Sequence, residues 1–291
     1  MSGPLLEAVG VSIQFGGLKA LEDFNLTIQA GDLQGLIGPN GAGKTTAFNV
    51  LTGVYQATRG DVRVGARRVN GRLPHQINHA GLARTFQNIR LFRALTALDN
   101  VKVACRAQGA LHERGVGPGA KAREALRNYA DWWRALLLTP GFQEEERELT
   151  AQAERLLEVM GLAHRRDEEA RNLPYGEQRR LEIARALGTR PKVLLLDEPA
   201  AGMNTREKAD LMVLIRKLRD DFGLGILVIE HDMKLVMGIC ESITVLNYGK
   251  TIARGSPAEV RADRNVIEAY LGDSYLESHG DSHGDSHGGQ A

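Results

Sequence analysis

Gly38-Pro-Asn-Gly-Ala-Gly-Lys-Thr45 sets glycines at its first, fourth and sixth positions ahead of a lysine and a hydroxyl residue. That spacing is the phosphate-binding pattern G-x-x-x-x-G-K-[ST]. Glycines let the backbone wind so that successive N–H groups point inward at phosphate oxygens, and the N-terminus of a following helix adds a favourable dipole. In this scheme Lys44 reaches the β- and γ-phosphates of a nucleotide, and Thr45 offers its hydroxyl to Mg²⁺. The candidate nucleotide-binding set is therefore Asn40, Gly41, Ala42, Gly43, Lys44, Thr45 and Thr46. A glycine turn opening an ordinary helix is the plain alternative. The apolar residues before the loop and the helix-compatible ones after it argue against that alternative.

A second constellation lies downstream. Val193-Leu-Leu-Leu-Asp-Glu-Pro199 is an apolar, strand-sized run ending in two adjacent carboxylates, with a proline that cannot continue a ladder. Alone, such an ending is an ordinary solvated strand end. Paired with an upstream phosphate loop, it suits a metal-binding Asp197, direct or through water, beside a Glu198 that aligns and polarises an attacking water.

With these two motifs in place, Leu173-Pro-Tyr-Gly-Glu-Gln-Arg-Arg-Leu-Glu-Ile-Ala-Arg-Ala-Leu187 resembles the signature segment of the ABC (ATP-binding cassette) ATPases, at the proper distance before Asp197. The resemblance covers nearly the whole chain. It implies an α/β fold: a P-loop NTPase ABC ATPase core with an antiparallel β-subdomain and a helical subdomain. It also implies ATP hydrolysis by two such domains packed head to tail. The start of the signature helix, at Gly176 and Glu177, would then cap the ATP held by the opposite domain. Gln87, in Arg84-Thr-Phe-Gln-Asn88, resembles the glutamine that touches Mg²⁺ or the attacking water. His231 resembles the histidine that contacts the γ-phosphate, and Phe15 the aromatic stacked on adenine, with a core phenylalanine as its alternative.

Two departures stand out. Pro174 and Tyr175 replace the usual Ser and Gly, and Glu177 replaces a Gln, so a hydroxyl that meets the opposite γ-phosphate is missing. Asn204 stands where Asp is common and keeps hydrogen-bonding capacity without charge. The finer resemblance, carried by Leu173 to Gln178, Arg84 to Phe92, Glu230 to Met237 and Ala269-Tyr-Leu-Gly272, is to the ATP-binding subunits of branched-chain amino acid importers. It implies two integral membrane permease subunits as partners, a second ATPase subunit of the same or another kind, and indirectly a periplasmic substrate-binding protein. Urea or amide importers and the lipopolysaccharide exporter share much of the pattern.

The elements that must position these residues follow from hydrophobic pattern. Leu5 to Gln29 is rich in β-formers and broken at Gly16-Gly17, predicting antiparallel strands. Gln34 to Ile37 predicts a buried strand feeding the glycine loop, and a helix follows from Lys44 to about Gly53. Leu149, Ala153, Leu156, Leu157 and Met160 fall at helical spacing. Beyond Asn172, a helix over about 177–187, strand 193–196, a helix around 208–218 and strand 226–229 alternate. That order predicts a mostly parallel sheet covered by helices. A hairpin over 243–253 and a short helix before Leu271 close the pattern. The expected organisation is one ATPase domain over 1–272, with a helical insertion at about 106–172, and a disordered tail over 273–291.

In that tail His279, His283 and His287 recur every fourth residue, but glycines in each repeat argue against a metal-binding helix. Trp132 and Trp133 are expected to pack in a partly buried helix, with a membrane-protein contact as the alternative. Over 291 residues, 37 basic side chains balance 36 acidic ones, so no global field draws the chain to nucleic acid. The only two cysteines, Cys105 and Cys240, lack metal-ligand spacing. Apolar runs are too short to span a bilayer, and Met1 to Leu5 carries no secretion pattern. The expected place is the cytoplasm, at the inner face of the membrane. Three rivals predict other features. A soluble repair or ribosomal ABC ATPase would carry two cassettes or inserted zinc-binding segments, a silent regulator would lack Glu198 or His231, and a small-molecule kinase would not need the signature helix.

Overall fold

The structure, a computed structural model, describes residues 3–112 and 139–270. Trp132, Trp133, most of the glycine-rich stretch and the histidine tail lie outside the described residues. Strands β1 (Leu6–Phe15) and β2 (Leu18–Ile28) form an antiparallel hairpin about Gly16-Gly17, in which Phe15 pairs with Leu18. They join β4 (Arg59–Val64) and β5 (Arg67–Arg68) in a four-stranded sheet of order β2-β1-β4-β5.

The second sheet has six strands in the order β10-β9-β3-β8-β7-β6. Its members are β3 (Leu33–Ile37), β6 (Leu82–Arg84), β7 (Val193–Asp197), β8 (Gly225–Ile229), β9 (Ser242–Asn247) and β10 (Lys250–Gly255). All neighbours are parallel except the β9–β10 hairpin. Strands β3, β7 and β8 are buried at every position. Alternate residues serve two separate cores, as a period of two requires. Leu194, Leu196, Ile226 and Val228 face a core shared with helices, while Val193, Leu195, Leu227 and Ile229 face one shared with the antiparallel sheet.

The helices are α1 (Lys44–Leu51), α2 (Pro74–Ala80), α3 (Ala97–His112), α4 (Pro140–Val159), α5 (Tyr175–Gly188), α6 (Thr205–Phe222), α7 (Met233–Ile239) and α8 (Pro257–Ala262). Residues 264–270 form the expected last helical stretch. Of the spaced apolar residues, Ala153, Leu156 and Leu157 of α4 and Met160 just after it are buried and Leu149 is partly buried, and the helix begins nine residues before Leu149. Arg106 lies inside α3. The Thr96 hydroxyl accepts from the Asp99 amide at 3.0 Å at the start of that helix, so the helical region opens before the change in composition. Lys102 of α3 and Glu146 of α4 pair at 3.0 Å and tie the two helices together.

Both cysteines are buried on the helical side, and loss of solvation pushes the Cys105 thiol up to about 11 and the Cys240 thiol up to about 12. Among the described residues no helix is long and apolar enough to cross a membrane.

Candidate active site

Parallel strands deliver their following loops to one edge of a sheet. Here Leu36 of β3 pairs in register with Ile229 of β8, Ile229 with Asp197 of β7, and Leu195 of β7 with Arg84 of β6. The glycine loop, Gln87, Glu198 and His231 all follow those strand ends directly. Residues far apart in sequence are thereby gathered at a single rim.

The glycine loop is shaped by its backbone. Gly38, Gly41 and Gly43 have φ of 149°, 77° and 102°, a region costly for residues with a Cβ. A Cβ at Gly38 would sit 2.1 Å from the Leu246 carbonyl, and one at Gly43 would sit 2.7 Å from that of Ala20. The Gly249 amide donates to the Ala42 carbonyl at 2.9 Å. The loop is thus wedged between β2 and the β9–β10 turn. Lys44 Nζ donates to the carbonyls of Gly38 at 2.6 Å and Pro39 at 2.8 Å, so the ammonium already lies along the inside of the loop. Asn40, Gly41 and Thr45 are exposed and Thr46 is half-buried, at the open face.

Three of the predicted catalytic side chains meet. Gln87 Nε2 donates to Glu198 Oε2 at 2.8 Å, and His231 Nδ1 lies 3.9 Å from the same oxygen. Glu198 takes φ of 44°, a left-handed conformation uncommon for a residue with a side chain, while its amide donates to Ile229 O at 2.9 Å. The strain is local to the carboxylate the reaction would use.

Asp197 has different company. Arg84 Nη2 binds its Oδ2 at 2.7 Å, and both side chains are more than nine-tenths buried. Arg84 also donates to Asn49 at 2.7 Å and lies over the Phe48 and Phe86 rings. The Asp197 carboxylate, the Thr45 hydroxyl and the Gln87 amide oxygen are all hard oxygen donors, the chemistry Mg²⁺ prefers. Among the described residues no three His, Cys, Asp or Glu side chains gather as a metal site. A cation held here would take its remaining ligands from phosphate and water.

Other predicted residues stand further off. Phe15 ends β1, partly exposed, with its ring edge-on to Tyr55 at 5.2 Å. Gly176 and Glu177 open α5, where Glu177 pairs with Arg165 at 3.0 Å rather than with the glycine loop. Tyr175 packs beside Gly202, where a Cβ would lie 3.2 Å from its ring. Asn204 caps α6: its Oδ1 accepts from the Glu207 amide at 3.0 Å, and the Glu207 carboxylate accepts from the Asn204 amide at 2.9 Å. The Asn in place of Asp therefore retains the cap.

Sequence reasoning missed Arg84 and Glu230. Glu230 is 1% exposed, accepts from the Ala200 amide at 2.8 Å and lies 3.9 Å from His231 Nδ1. Burial pushes its carboxyl above the usual range. It fixes the turn that follows Glu198. The signal available for both residues was position, since each ends or directly follows a strand of the parallel sheet.

Comparison with known proteins agrees with this geometry. The ABC transporter family profile matches residues 21–201, and a profile described as branched-chain amino acid ATP-binding cassette transporter matches residues 250–275. The chain is 44% identical over 274 residues to the high-affinity branched-chain amino acid transport ATP-binding protein BraF of Pseudomonas aeruginosa, covering 94% of this chain and 100% of that one. It is 43% identical, with the same coverage, to the high-affinity branched-chain amino acid transport ATP-binding protein LivG of Escherichia coli. A crystal structure of the ADP conformation of an ATP-binding cassette from an ABC transporter superimposes with a TM-score of 0.74 at 29% identity, over 92% of this chain and 99% of that one.

Proposed function

The chain belongs to the ABC transporter family as an ATP-hydrolysing, nucleotide-binding subunit, and from that premise we propose that it energises an importer of branched-chain amino acids. The cargo reading is supported by the relatives named above and by the matched segment at 250–275. The hydrolytic reading of individual residues is supported above all by the 2.8 Å contact between Gln87 and Glu198 at the rim that also carries Lys44.

In this reading the inward N–H groups of Asn40 to Thr46 cradle the phosphates of ATP, and Lys44 swings from its own loop carbonyls to the β- and γ-oxygens. Phe15 stacks on the adenine. Glu198 accepts a hydrogen bond from the attacking water and aligns it, Gln87 holds that carboxylate in place, and His231 contacts the γ-phosphate. Thr45, Asp197 and Gln87 would hold Mg²⁺, which when bound neutralises charge on the β- and γ-oxygens. Arg84 orients Asp197. The start of α5 at Gly176 and Glu177 has no role toward the chain's own glycine loop and meets ATP on a second ATPase subunit. Two membrane permeases and, through them, a periplasmic binding protein complete the assembly at the inner face of the cell membrane. The ATPase domain spans 1–272.

Glu198→Gln is expected to keep MgATP affinity and lose turnover by about 100-fold or more. Near-normal hydrolysis by that variant, measured as phosphate release, contradicts the assignment. Lys44→Ala should weaken nucleotide binding by about 10- to 100-fold, the effect of removing charge-assisted hydrogen bonds, and unchanged affinity in a calorimetric titration counts against Lys44. Cells deleted for the chain should lose uptake of labelled leucine, isoleucine and valine while retaining urea uptake. The reverse pattern would overturn the cargo.

A further inference from the structure

Charged residues on a helix ordinarily mark its solvated face, yet Arg179 and Glu182 on α5 are each 2% exposed and pair at 3.1 Å. Their remaining partners lie almost entirely in the backbone around Gln87. Arg179 Nη1 donates to the Phe86 carbonyl at 2.5 Å and Nη2 donates to the Gln87 carbonyl. Glu182 Oε1 accepts from the amides of Arg90 at 3.1 Å and Phe86 at 3.4 Å. The helix thus grips the segment on both sides of Gln87 and at its own peptide. Arg90 covers the Phe86 ring at 4.1 Å.

Such a pair is a poor choice for stability alone. Burying two charges carries a desolvation penalty that their attraction need not repay, and apolar residues of similar volume are often equal or better. Here burial raises the Glu182 carboxyl despite the neighbouring guanidinium, and Arg179 Nε has no hydrogen-bond partner. What the pair supplies is direction. Backbone carbonyls and amides that would otherwise face water in a loop are each assigned a fixed partner on one helix.

We propose that Arg179 and Glu182 are positioning residues for Gln87, clamping its loop to α5 so that the Gln87 amide is held on Glu198. The clamp deepens the hydrolytic reading given above and rests on it. Because the same helix begins at Tyr175, one turn before Arg179, the clamp makes the helix start and Gln87 move as one body. The start of α5 faces a second subunit's nucleotide, while Gln87 faces the chain's own. A displacement of α5 is therefore passed to the chain's own attacking water without an intervening flexible joint.

The test uses the full-length chain in the membrane complex that co-purifies with it. The paired change Arg179→Met with Glu182→Leu fills the same space without charge and should melt near the parent, since apolar replacements of buried pairs are tolerated. MgATP affinity should stay within about twofold while kcat falls about 10- to 100-fold, the cost of a misplaced catalytic group. Added to Gln87→Ala, the paired change should cost nothing more, because the clamp acts only through that side chain. Wild-type kcat in the paired variant, or losses that multiply with Gln87→Ala, would overturn the proposal. Should the apolar pair fail to fold, Arg179→Lys, which keeps the charge but cannot reach both carbonyls, carries the same comparison. Failure of Glu198→Gln to lose turnover would instead indict the hydrolytic reading itself, with the clamp variants uninvolved.

Discussion

Two helix starts in this molecule are built to opposite plans. The start of α1 is shaped by backbone: three glycines at positive φ, a loop pressed against β2 and the β9–β10 turn, and a lysine as its first helical residue. The start of α5 is shaped by side chains: Pro174 before it, Tyr175 against Gly202, and Glu177 paired with Arg165. Neither helix has a side-chain cap at its first turn, whereas α6, α7 and α8 are capped by Asn204, Asp232 and Ser256. The two proposed phosphate-facing helices keep their free N–H groups available. The first site is complete within the chain and has little freedom. The second, in the proposed reading, needs a partner subunit's nucleotide to be complete.

That contrast predicts unequal tolerance. Gly43→Ala should be the most damaging change, because it combines a strained φ of 102° with a 2.7 Å approach to the Ala20 carbonyl. A loss of about 2–4 kcal/mol in urea unfolding is expected, with ATP binding lost alongside. Gly176 has an ordinary φ, and its added Cβ would meet only the tip of the Glu207 side chain at 3.2 Å. Gly176→Ala should therefore fold normally and bind ATP, with the defect confined to turnover in the assembled complex. Equal damage at the two glycines would erase the distinction.

A smaller effect is expected one layer behind α5. Asn204→Ala removes the cap of α6 and should cost about 1 kcal/mol in the same unfolding assay, with Asn204→Asp restoring it. Smallest of all is Glu177→Gln. It removes a favourable charge at a helix N-terminus and a partly buried pair with Arg165, so stability should fall by about 1 kcal/mol at most. A larger loss would mean that the α5 start is as tightly specified as that of α1.

The parts of the fold visible in the sequence were those with a strong local pattern. Strands β3, β7 and β8 read as apolar runs, and the glycine loop and the Asp197-Glu198 pair stood directly after two of them. Strands β5 and β6 have two and three residues, too short to show any period, and the antiparallel β4 was lost with them. In sequence Arg84 has no role of its own, since its partner Asp197 is 113 positions away. Arg179 and Glu182 defeat pattern reading for a different reason. Their charges imply solvent, and only the tertiary placement of the Gln87 loop over α5 buries them. Asn204 looked like a lost charge until its place before α6 showed that a cap needs only an acceptor.

The condition of Cys105 and Cys240 has a practical side. Both sulfurs are enclosed among apolar side chains and hold their protons well above neutral pH, so maleimides and other alkylating reagents should leave the folded protein unmodified. A cysteine introduced at exposed Tyr175 would then be the one reactive thiol. Spin labels or fluorophores placed there would test whether α5 moves when MgATP is added, without first stripping out the native sulfurs.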